Sequence, residues 1–163
     1  MNNKYALITG GTAGIGLDIA KELAKRGHNI LLTARREERL KEISASIKEE
    51  FNVDCNYIAA DLADASAPEM IYNFCSKNNY IVEILVNNAG YSINKKFHET
   101  GEDEEEKFLR VLGIAVVALT KKFIPSMLEQ KHGKIMMVSS LASFAPPSSG
   151  WGALYGPIKT FVN

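Results

Sequence analysis

Residues 5–16 read YALITGGTAGIG, and this stretch decides the fold. The apolar run at 5–8 has the length of a short buried strand and is too short for a helix. It leads into glycines at positions 10, 14 and 16, and then into an amphipathic pattern of leucine, isoleucine and alanine that predicts a helix. A strand, a glycine loop and a helix in this order are the context that a phosphate-binding loop needs.

The glycines of this loop have a physical purpose in such a site. Without a Cβ, glycine lets the main chain come close to a pyrophosphate. The unpaired N–H groups at the start of the helix then face the anion, with the helix dipole behind them. The spacing differs from the common G-x-G-x-x-G fingerprint of dinucleotide-binding proteins. A tight turn between strand and helix that binds no ligand is the alternative.

The length and the composition of the chain predict an ordinary globular protein with a single domain over residues 1–163. The formal net charge is zero, which gives no reason to expect nucleic acid or an anionic membrane as a partner. No apolar run approaches membrane-spanning length, and the start of the sequence resembles a strand, so we expect neither a membrane span nor a leader peptide. Cys55 and Cys75 have no metal-binding or redox spacing, so we expect buried thiols and a cytoplasmic protein.

Strands alternate with helices along the whole chain. Further apolar strands are predicted at 29–34, 53–60, 81–86 and 134–139, and one helix is predicted from the acidic run 101–106 to about residue 127. The acidic run could hold a metal, but it is more typical of a helix start, where carboxylates complement the dipole. A loop rich in proline and glycine, 146–152, leads to a last helix at Tyr155. Near-continuous apolar strands predict an α/β fold with a doubly wound parallel sheet in a three-layer αβα arrangement, strand order 3-2-1-4-5.

Polar residues gather where these strands end. Arg35 follows the second strand, Asp61 the third, the segment 87–90 (NNAG) the fourth, and the segment 139–140 (SS) the fifth. Ligands bind such sheets at the carboxyl ends of the strands. Tyr155 and Lys159 are four residues apart and therefore share a face of the last helix.

These motifs, in this order, resemble the short-chain dehydrogenase/reductase family. The resemblance rests on T-G-x-x-x-G-I-G at 9–16, Asp-Leu at 61–62, N-N-A-G at 87–90, V-S-S at 138–140 and Y-x-x-x-K at 155–159. It covers the whole chain and implies a Rossmann-like fold. It also implies a nicotinamide cofactor, hydride transfer between an alcohol and a ketone or aldehyde as small-molecule substrates, and a homo-oligomer.

The resemblance implies a catalytic set of Ser140, Tyr155 and Lys159. Alcohol–carbonyl interconversion needs a proton donor or acceptor at the oxygen, and Tyr155 would be that group. Phenols titrate near pH 10, so a neighbouring cation such as Lys159 is needed to make one useful near neutrality. Lys159 would also bind the nicotinamide ribose, and Ser140 would polarise the substrate oxygen. The alternative for Tyr155 and Lys159 is an ordinary amphipathic helix start.

The stretch after the second strand indicates which nicotinamide cofactor is used. An acid near this position usually accepts from the ribose 2′-hydroxyl of NAD, but the sequence here is Thr-Ala-Arg-Arg at 33–36. A guanidinium can pair with a 2′-phosphate instead, so NADP(H) is favoured over NAD(H). Alternatively, Arg35 is only a solvated residue at a helix start. The expected cofactor-binding residues are Gly10, Thr12, Gly14, Ile15, Gly16, Arg35, Asp61, Leu62, Asn88, Ala89, Gly90, Tyr155 and Lys159, and no metal site is expected.

Three departures from the family pattern support a second hypothesis. The family's asparagine in the middle of the fourth helix, part of a proton relay, aligns with Ala115. Ile158 replaces a small, often polar residue between the tyrosine and the lysine. Family members also continue beyond residue 163, so we expect a fold that is truncated at its C-terminus. The alternative function is therefore a catalytically inactive, nucleotide-binding or self-associating fragment of this family.

Overall fold

The computed structural model describes residues 3–145 and 153–163. Its centre is a parallel sheet with strands in the order β3-β2-β1-β4-β5. This order confirms the prediction from the sequence. The strands are β1 (Lys4–Thr9), β2 (Asn29–Ala34), β3 (Cys55–Ala59), β4 (Ile81–Asn87) and β5 (Lys134–Met137). The loop predicted at 146–152 lies outside the described residues.

Helices lie on both faces of this sheet, although Lys134, Met136 and Met137 of β5 are exposed. They are α1 (Gly14–Lys25), α2 (Glu37–Phe51), α3 (Ala67–Lys77), α4 (Glu102–Leu109), α5 (Ala115–Glu129) and α6 (Tyr155–Phe161). Side chains alternate between the two faces of each strand. Ala6 and Ile8 of β1 pack with α1 and α2, whereas Tyr5 and Leu7 pack with α3, α4 and α5. Both faces of β1 are thus buried, which explains why its sequence is apolar without interruption.

The prediction of one continuous helix from the acidic run 101–106 to about residue 127 is wrong in one respect. Arg110–Ile114 forms a π turn between α4 and α5, and the Ala115 N–H donates to the Arg110 carbonyl. A π turn inserts one residue into the helix, and such insertions are frequent at functional sites. The apolar pattern continues on both sides of it, because Phe108, Leu112 and Leu119 are all buried.

The same helical run corrects a second expectation. Residues Glu102–Glu129 form one helix, counting the π turn, that is long and apolar enough to cross a membrane by length and composition alone. The expectation that no apolar run reaches this length therefore does not hold. Phe108, Leu119 and Phe123 pack into the core beneath the sheet, as the core helix of a doubly wound fold does.

Candidate functional site

A cleft of about 580 Å³ opens at the carboxyl ends of the strands. Its volume falls in the range of small-molecule and cofactor sites. Most of the residues expected to bind a cofactor line it. These are Gly10, Thr12, Ile15, Gly16, Arg35, Asp61, Leu62, Asn88, Ala89, Gly90, Tyr155 and Lys159. Gly14 and Ser140 do not border the cleft directly.

The glycine loop adopts a conformation that only small residues permit. Gly10 and Gly14 have φ of +69° and +52°, in the left-handed region that glycine tolerates best. A methyl group on Gly16 would lie 2.3 Å from Asn88 Nδ2 and 2.5 Å from the Gly10 carbonyl oxygen. Nothing lies within 4 Å of the corresponding position on Gly14. Gly16 therefore allows the close packing of the loop, while Gly14 faces open space at the start of α1.

Asn88 fastens the loop after β4 to the glycine loop. Its Nδ2 donates to the Thr9 carbonyl over 2.8 Å and to the Gly10 carbonyl over 3.3 Å. The Asn88 and Ala89 main-chain N–H groups both donate to Thr9 Oγ1, over 2.9 and 3.0 Å. The Asn88 side chain thus holds two loops together. It contributes to the shape of the cleft by fixing the main chain of these loops.

The end of the cleft beside strand β2 carries positive charge. Arg35 and Arg36 border the cleft and are exposed, and within the described ranges neither forms an ion pair with a carboxylate. Tyr91 lies near Arg35 and Asp61. Burial raises the pKa of the Tyr91 phenol, the Arg35 charge opposes this shift, and Asp61 adds to it. Two uncompensated guanidinium groups make this end attractive to an anion.

Tyr155 and Lys159 lie together at the other end. The Lys159 Nζ is 5.9 Å from the centre of the Tyr155 ring and donates to the Val138 carbonyl over 2.7 Å. The Lys159 side chain is buried, and this loss of solvation lowers its pKa. The Tyr155 ring packs against Phe108 at a centroid distance of 6.5 Å. A phenol and an amine on one face of α6 therefore border the cleft, as their spacing predicted.

The two serines after β5 have different surroundings. Ser139 borders the cleft, and its Oγ donates to the Lys159 carbonyl over 3.0 Å. Ser140 Oγ accepts from the Ala142 N–H over 3.2 Å and caps the short 3-10 turn Leu141–Phe144. The structure therefore brings Ser139 into the cleft wall, whereas Ser140, the expected catalytic serine, does not border the cleft.

Leu112 of the long helix lies near Lys159, because both border the same side of Gly90. A methyl group on Gly90 would lie 3.5 Å from Leu112 Cγ and 3.7 Å from Lys159 Nζ. Ala115, which the sequence comparison placed at the relay position, is buried in the core one turn later. Leu112 lies in the π turn, and its side chain has no hydrogen-bonding group.

Sequence reasoning missed several residues that border the cleft. Val111 and Lys107 are one helical turn apart, so the periodicity of the helix could have placed them on one side. Thr33 also borders the cleft, and its buried Oγ1 has no hydrogen-bond partner among residues 3–145 and 153–163. No local pattern identifies such a hydroxyl in a strand.

Within residues 3–145 and 153–163, no group of three His, Cys, Asp or Glu side chains is arranged to hold a metal ion. The acidic run that could have suggested one forms the first turn of α4, with Glu102, Asp103, Glu104 and Glu105 at its amino end. Carboxylates there complement the positive end of the helix dipole.

A doubly wound parallel sheet with a glycine loop and a tyrosine–lysine pair in one cleft defines the class of dinucleotide-binding oxidoreductase folds. The model of the short chain dehydrogenase family matches residues 4–163. The chain belongs to this family.

Individual relatives agree with this membership. The chain is 35% identical to the very-long-chain 3-oxoacyl-CoA reductase of Rattus norvegicus over 98% of its length, and it spans 51% of that relative. Among solved structures, it is similar to a short-chain dehydrogenase from Sphingobium yanoikuyae in complex with NADPH, with a TM-score of 0.90, 29% identity, and coverage of 98% of this chain and 61% of the other. The L-sorbose reductase of Gluconobacter frateurii, complexed with NADPH and L-sorbose, also has a TM-score of 0.90, with 31% identity and coverage of 98% and 60%. The chain thus spans about half to three fifths of these relatives.

Proposed function

We propose that this chain forms the cofactor-binding and catalytic part of an NADP(H)-dependent oxidoreductase that interconverts an alcohol and a carbonyl compound. The observation that carries the proposal is the presence in one cleft of the glycine loop, the free guanidinium groups of Arg35 and Arg36, and the Tyr155–Lys159 pair. Two of the similar solved structures contain NADPH.

The residues present fit this cofactor. The amino end of α1 suits a pyrophosphate, because Ile15 and Gly16 of its first turn border the cleft and the first N–H groups of a helix have no partner within it. Arg35 would pair with the 2′-phosphate. The buried Thr33 hydroxyl, which has no partner in the described residues, indicates a polar ligand at the adenosine end. When bound, the nicotinamide supplies or accepts the hydride.

The chain's own residues would move the proton and position the substrate. In the direction of reduction, the Tyr155 hydroxyl gives its proton to the carbonyl oxygen as that oxygen gains negative charge. The Lys159 ammonium stabilises the phenolate that remains and holds the ribose. Ser140 would donate to the same substrate oxygen, because its Oγ accepts from the Ala142 N–H and keeps its own proton for donation.

The test combines binding and turnover. NADPH and NADH are titrated by fluorescence, and a carbonyl panel that includes a 3-oxoacyl thioester and a ketose is assayed with wild type and Tyr155→Phe. We expect tighter binding of NADPH, and a loss of turnover in Tyr155→Phe of at least about 100-fold with little change in NADPH affinity. Tyr57→Phe, outside the cleft, is the control. Equal turnover by wild type and Tyr155→Phe would refute the assignment of Tyr155.

A second candidate function is cofactor binding without catalysis. One observation favours it: Leu112, which lies near Lys159, has an aliphatic side chain without a hydrogen-bonding group. It predicts NADPH binding with no turnover of any carbonyl, and detectable reduction by this chain would exclude it.

Self-association belongs to the same proposal. Ile114 and Val117 on the outer side of the long helix and Phe161 on α6 are exposed apolar residues. A homo-oligomer would bury them. Sedimentation velocity over a range of concentrations tests this directly, and a monomer at every concentration would exclude it.

A further inference from the structure

Hydrogen bonds hold one side of helix α6, which carries the Tyr155–Lys159 pair. Lys159 Nζ donates to the Val138 carbonyl over 2.7 Å, and Ser139 Oγ donates to the Lys159 carbonyl over 3.0 Å. Thr160 Oγ1 donates to the Ser143 carbonyl over 3.1 Å. These bonds fasten α6 to the segment that follows β5.

Apolar packing holds the side of α6 that faces the long helix. Ile158 lies against Gly113, a buried residue of the π turn Arg110–Ile114. A methyl group on Gly113 would lie 2.8 Å from Ile158 Cδ1 and 3.7 Å from Ile158 Cγ1. The first distance is shorter than real carbon contacts, so a single added methyl group would turn the Ile158 Cδ1 methyl aside. A branched residue at 113 adds two further carbons toward Ile158 and Phe161, whose Cδ1 is 3.8 Å from the same methyl position, and these would push α6 away from the long helix.

Backbone geometry does not explain the glycine at 113. The glycines with positive φ in the described ranges are Gly10, Gly14 and Gly27, so Gly113 has a conformation open to any residue. Glycine inside a helix is unfavourable compared with alanine. Packing therefore explains both residues. Glycine at 113 leaves a space in the helix surface, and the large side chain of Ile158 fills it. This pairing accounts for the isoleucine that the sequence comparison left unexplained.

We propose that Gly113 and Ile158 are a size-matched positioning pair that sets the place of the Tyr155 hydroxyl and the Lys159 ammonium in the cleft. The inference rests on the proposed function of Tyr155 and Lys159 and adds the residues that place them. Ile158 is adjacent to Lys159 and one turn after Tyr155, so a displacement of Ile158 moves both. A misplacement of about 1 Å can lower a rate by about 100-fold.

The test is an exchange of volumes between the two positions. Gly113→Val adds three carbon atoms and Ile158→Ala removes three, so the double variant conserves the packed volume. We expect each single variant to lower kcat by about 10- to 100-fold, to shift the pH at which kcat is half-maximal, and to speed amide hydrogen exchange in residues 156–162. In the double variant, kcat, the pH at which kcat is half-maximal and the rate of amide hydrogen exchange should return most of the way to their wild-type values.

Leu128→Ala is the matched control, because it also removes three carbon atoms but from an exposed position on α5, outside the cleft. It should leave kcat and its pH profile unchanged. Single variants that lower the melting temperature but leave kcat and the pH profile at wild-type values would overturn the proposal, since the contact would then be merely structural. A double variant no better than the worse single variant would overturn it too.

Failure of the proposed function gives a different result. If the wild type binds NADPH but reduces no carbonyl, the proposed oxidoreductase activity is refuted. The pairing of Gly113 with Ile158 is then tested by the dissociation constant of NADPH, to which the position of Lys159 contributes. Recovery of that constant in the double variant would support the positioning pair. Continued weak binding by the double variant would overturn it.

Discussion

The Lys159 ammonium donates a hydrogen bond to the main-chain carbonyl of Val138 over 2.7 Å, which ties helix α6 to the end of the sheet. Burial of Lys159 disfavours its charged form and lowers its pKa. The carbonyl partner compensates part of that loss of solvation. The amine is therefore held in one place before any cofactor arrives.

Replacing Lys159 by methionine should separate this role from packing. Lys159→Met keeps the length of the side chain but removes the donor. We expect turnover with NADPH to fall by at least about 100-fold and the dissociation constant of NADPH to rise by about tenfold, because one hydrogen bond from a charged donor is lost. Steady-state kinetics and fluorescence titration measure both. Lys121→Met, exposed on α5, is the control, and wild-type turnover in Lys159→Met would contradict the assignment.

Two glycines of the phosphate-binding loop should respond differently to alanine. Gly16→Ala places a methyl group 2.5 Å from the Gly10 carbonyl oxygen, so the main chain must move. We expect a loss of about 1–3 kcal/mol in stability and of NADPH binding. Gly14→Ala meets no atom within 4 Å but has φ of +52°, and the strain should cost about 1 kcal/mol. Urea unfolding compares the two, and equal losses would contradict this geometry.

Arg35 should determine the choice between the two nicotinamide cofactors. Arg35→Ala removes a guanidinium that has no ion-pair partner among the described residues, so we expect little change in the free energy of unfolding. We expect NADPH affinity to fall by about 10- to 100-fold, the worth of a charge-assisted hydrogen bond, while NADH affinity stays the same. Isothermal titration calorimetry with both cofactors measures this.

Arg39→Ala is the matched control for that experiment. Arg39 pairs with Glu42 on the exposed side of α2 over 3.0 Å, and it does not border the cleft. It should leave both affinities unchanged. Equal losses for NADPH and NADH in Arg35→Ala would mean that Arg35 does not read the 2′-phosphate.

The sheet could be predicted from the sequence because every strand is an apolar run that ends in a polar or glycine motif. The strand order followed from right-handed crossovers, and β3-β2-β1-β4-β5 confirms it. The cleft could be predicted for the same reason, since the motifs at Gly10, Arg35, Asp61 and Asn88 follow different strands and meet at one edge.

Features that depend on contacts distant in the chain could not be predicted. The π turn adds one residue to a helix whose apolar pattern continues on both sides, so periodicity does not detect it. The size match of Gly113 with Ile158 joins two elements that the sequence separates widely. The direction of the Ser140 side chain is set by a local hydrogen bond to Ala142, which a motif of two serines does not reveal.

The opposite end of the sheet offers a pH-dependent test. Burial alone would raise the pKa of the Asp54 carboxyl, but hydrogen bonds from Tyr5 and Lys48 outweigh burial, and the pKa is lowered. A carboxylate with a lowered pKa stabilises the fold above the pKa of the unfolded chain, about 3.9, and this contribution is lost as the pH falls through the folded value. The Asp54 side chain is 40% exposed, so solvent screening reduces the contribution to about 1 kcal/mol or less.

Tyr5→Phe removes the phenol that donates to Asp54. We expect the variant to be less stable than wild type by about 1 kcal/mol at pH 7, and by less at pH 3, which lies below the pKa of about 3.9 in the unfolded chain, so that part of the contribution is already lost. Urea unfolding at both pH values measures the difference. Tyr57→Phe, whose hydroxyl has no hydrogen bond in the described residues, should be neutral at both. A deficit in Tyr5→Phe that grows as the pH falls would contradict the sign of the linkage.

Finally, the two cysteines should be unreactive in the folded protein. Burial raises the pKa of the Cys55 thiol to about 11 and that of the Cys75 thiol to about 12, so almost none of either is thiolate near pH 8. Both side chains are also buried in the core, so a reagent reaches them only when the structure opens. We expect labelling by a disulfide reagent to be at least about 100-fold slower in the native protein than in guanidinium. Rapid labelling of either thiol in the native protein would show that its strand or helix opens readily, and Cys55→Ser and Cys75→Ser variants would identify which one reacts.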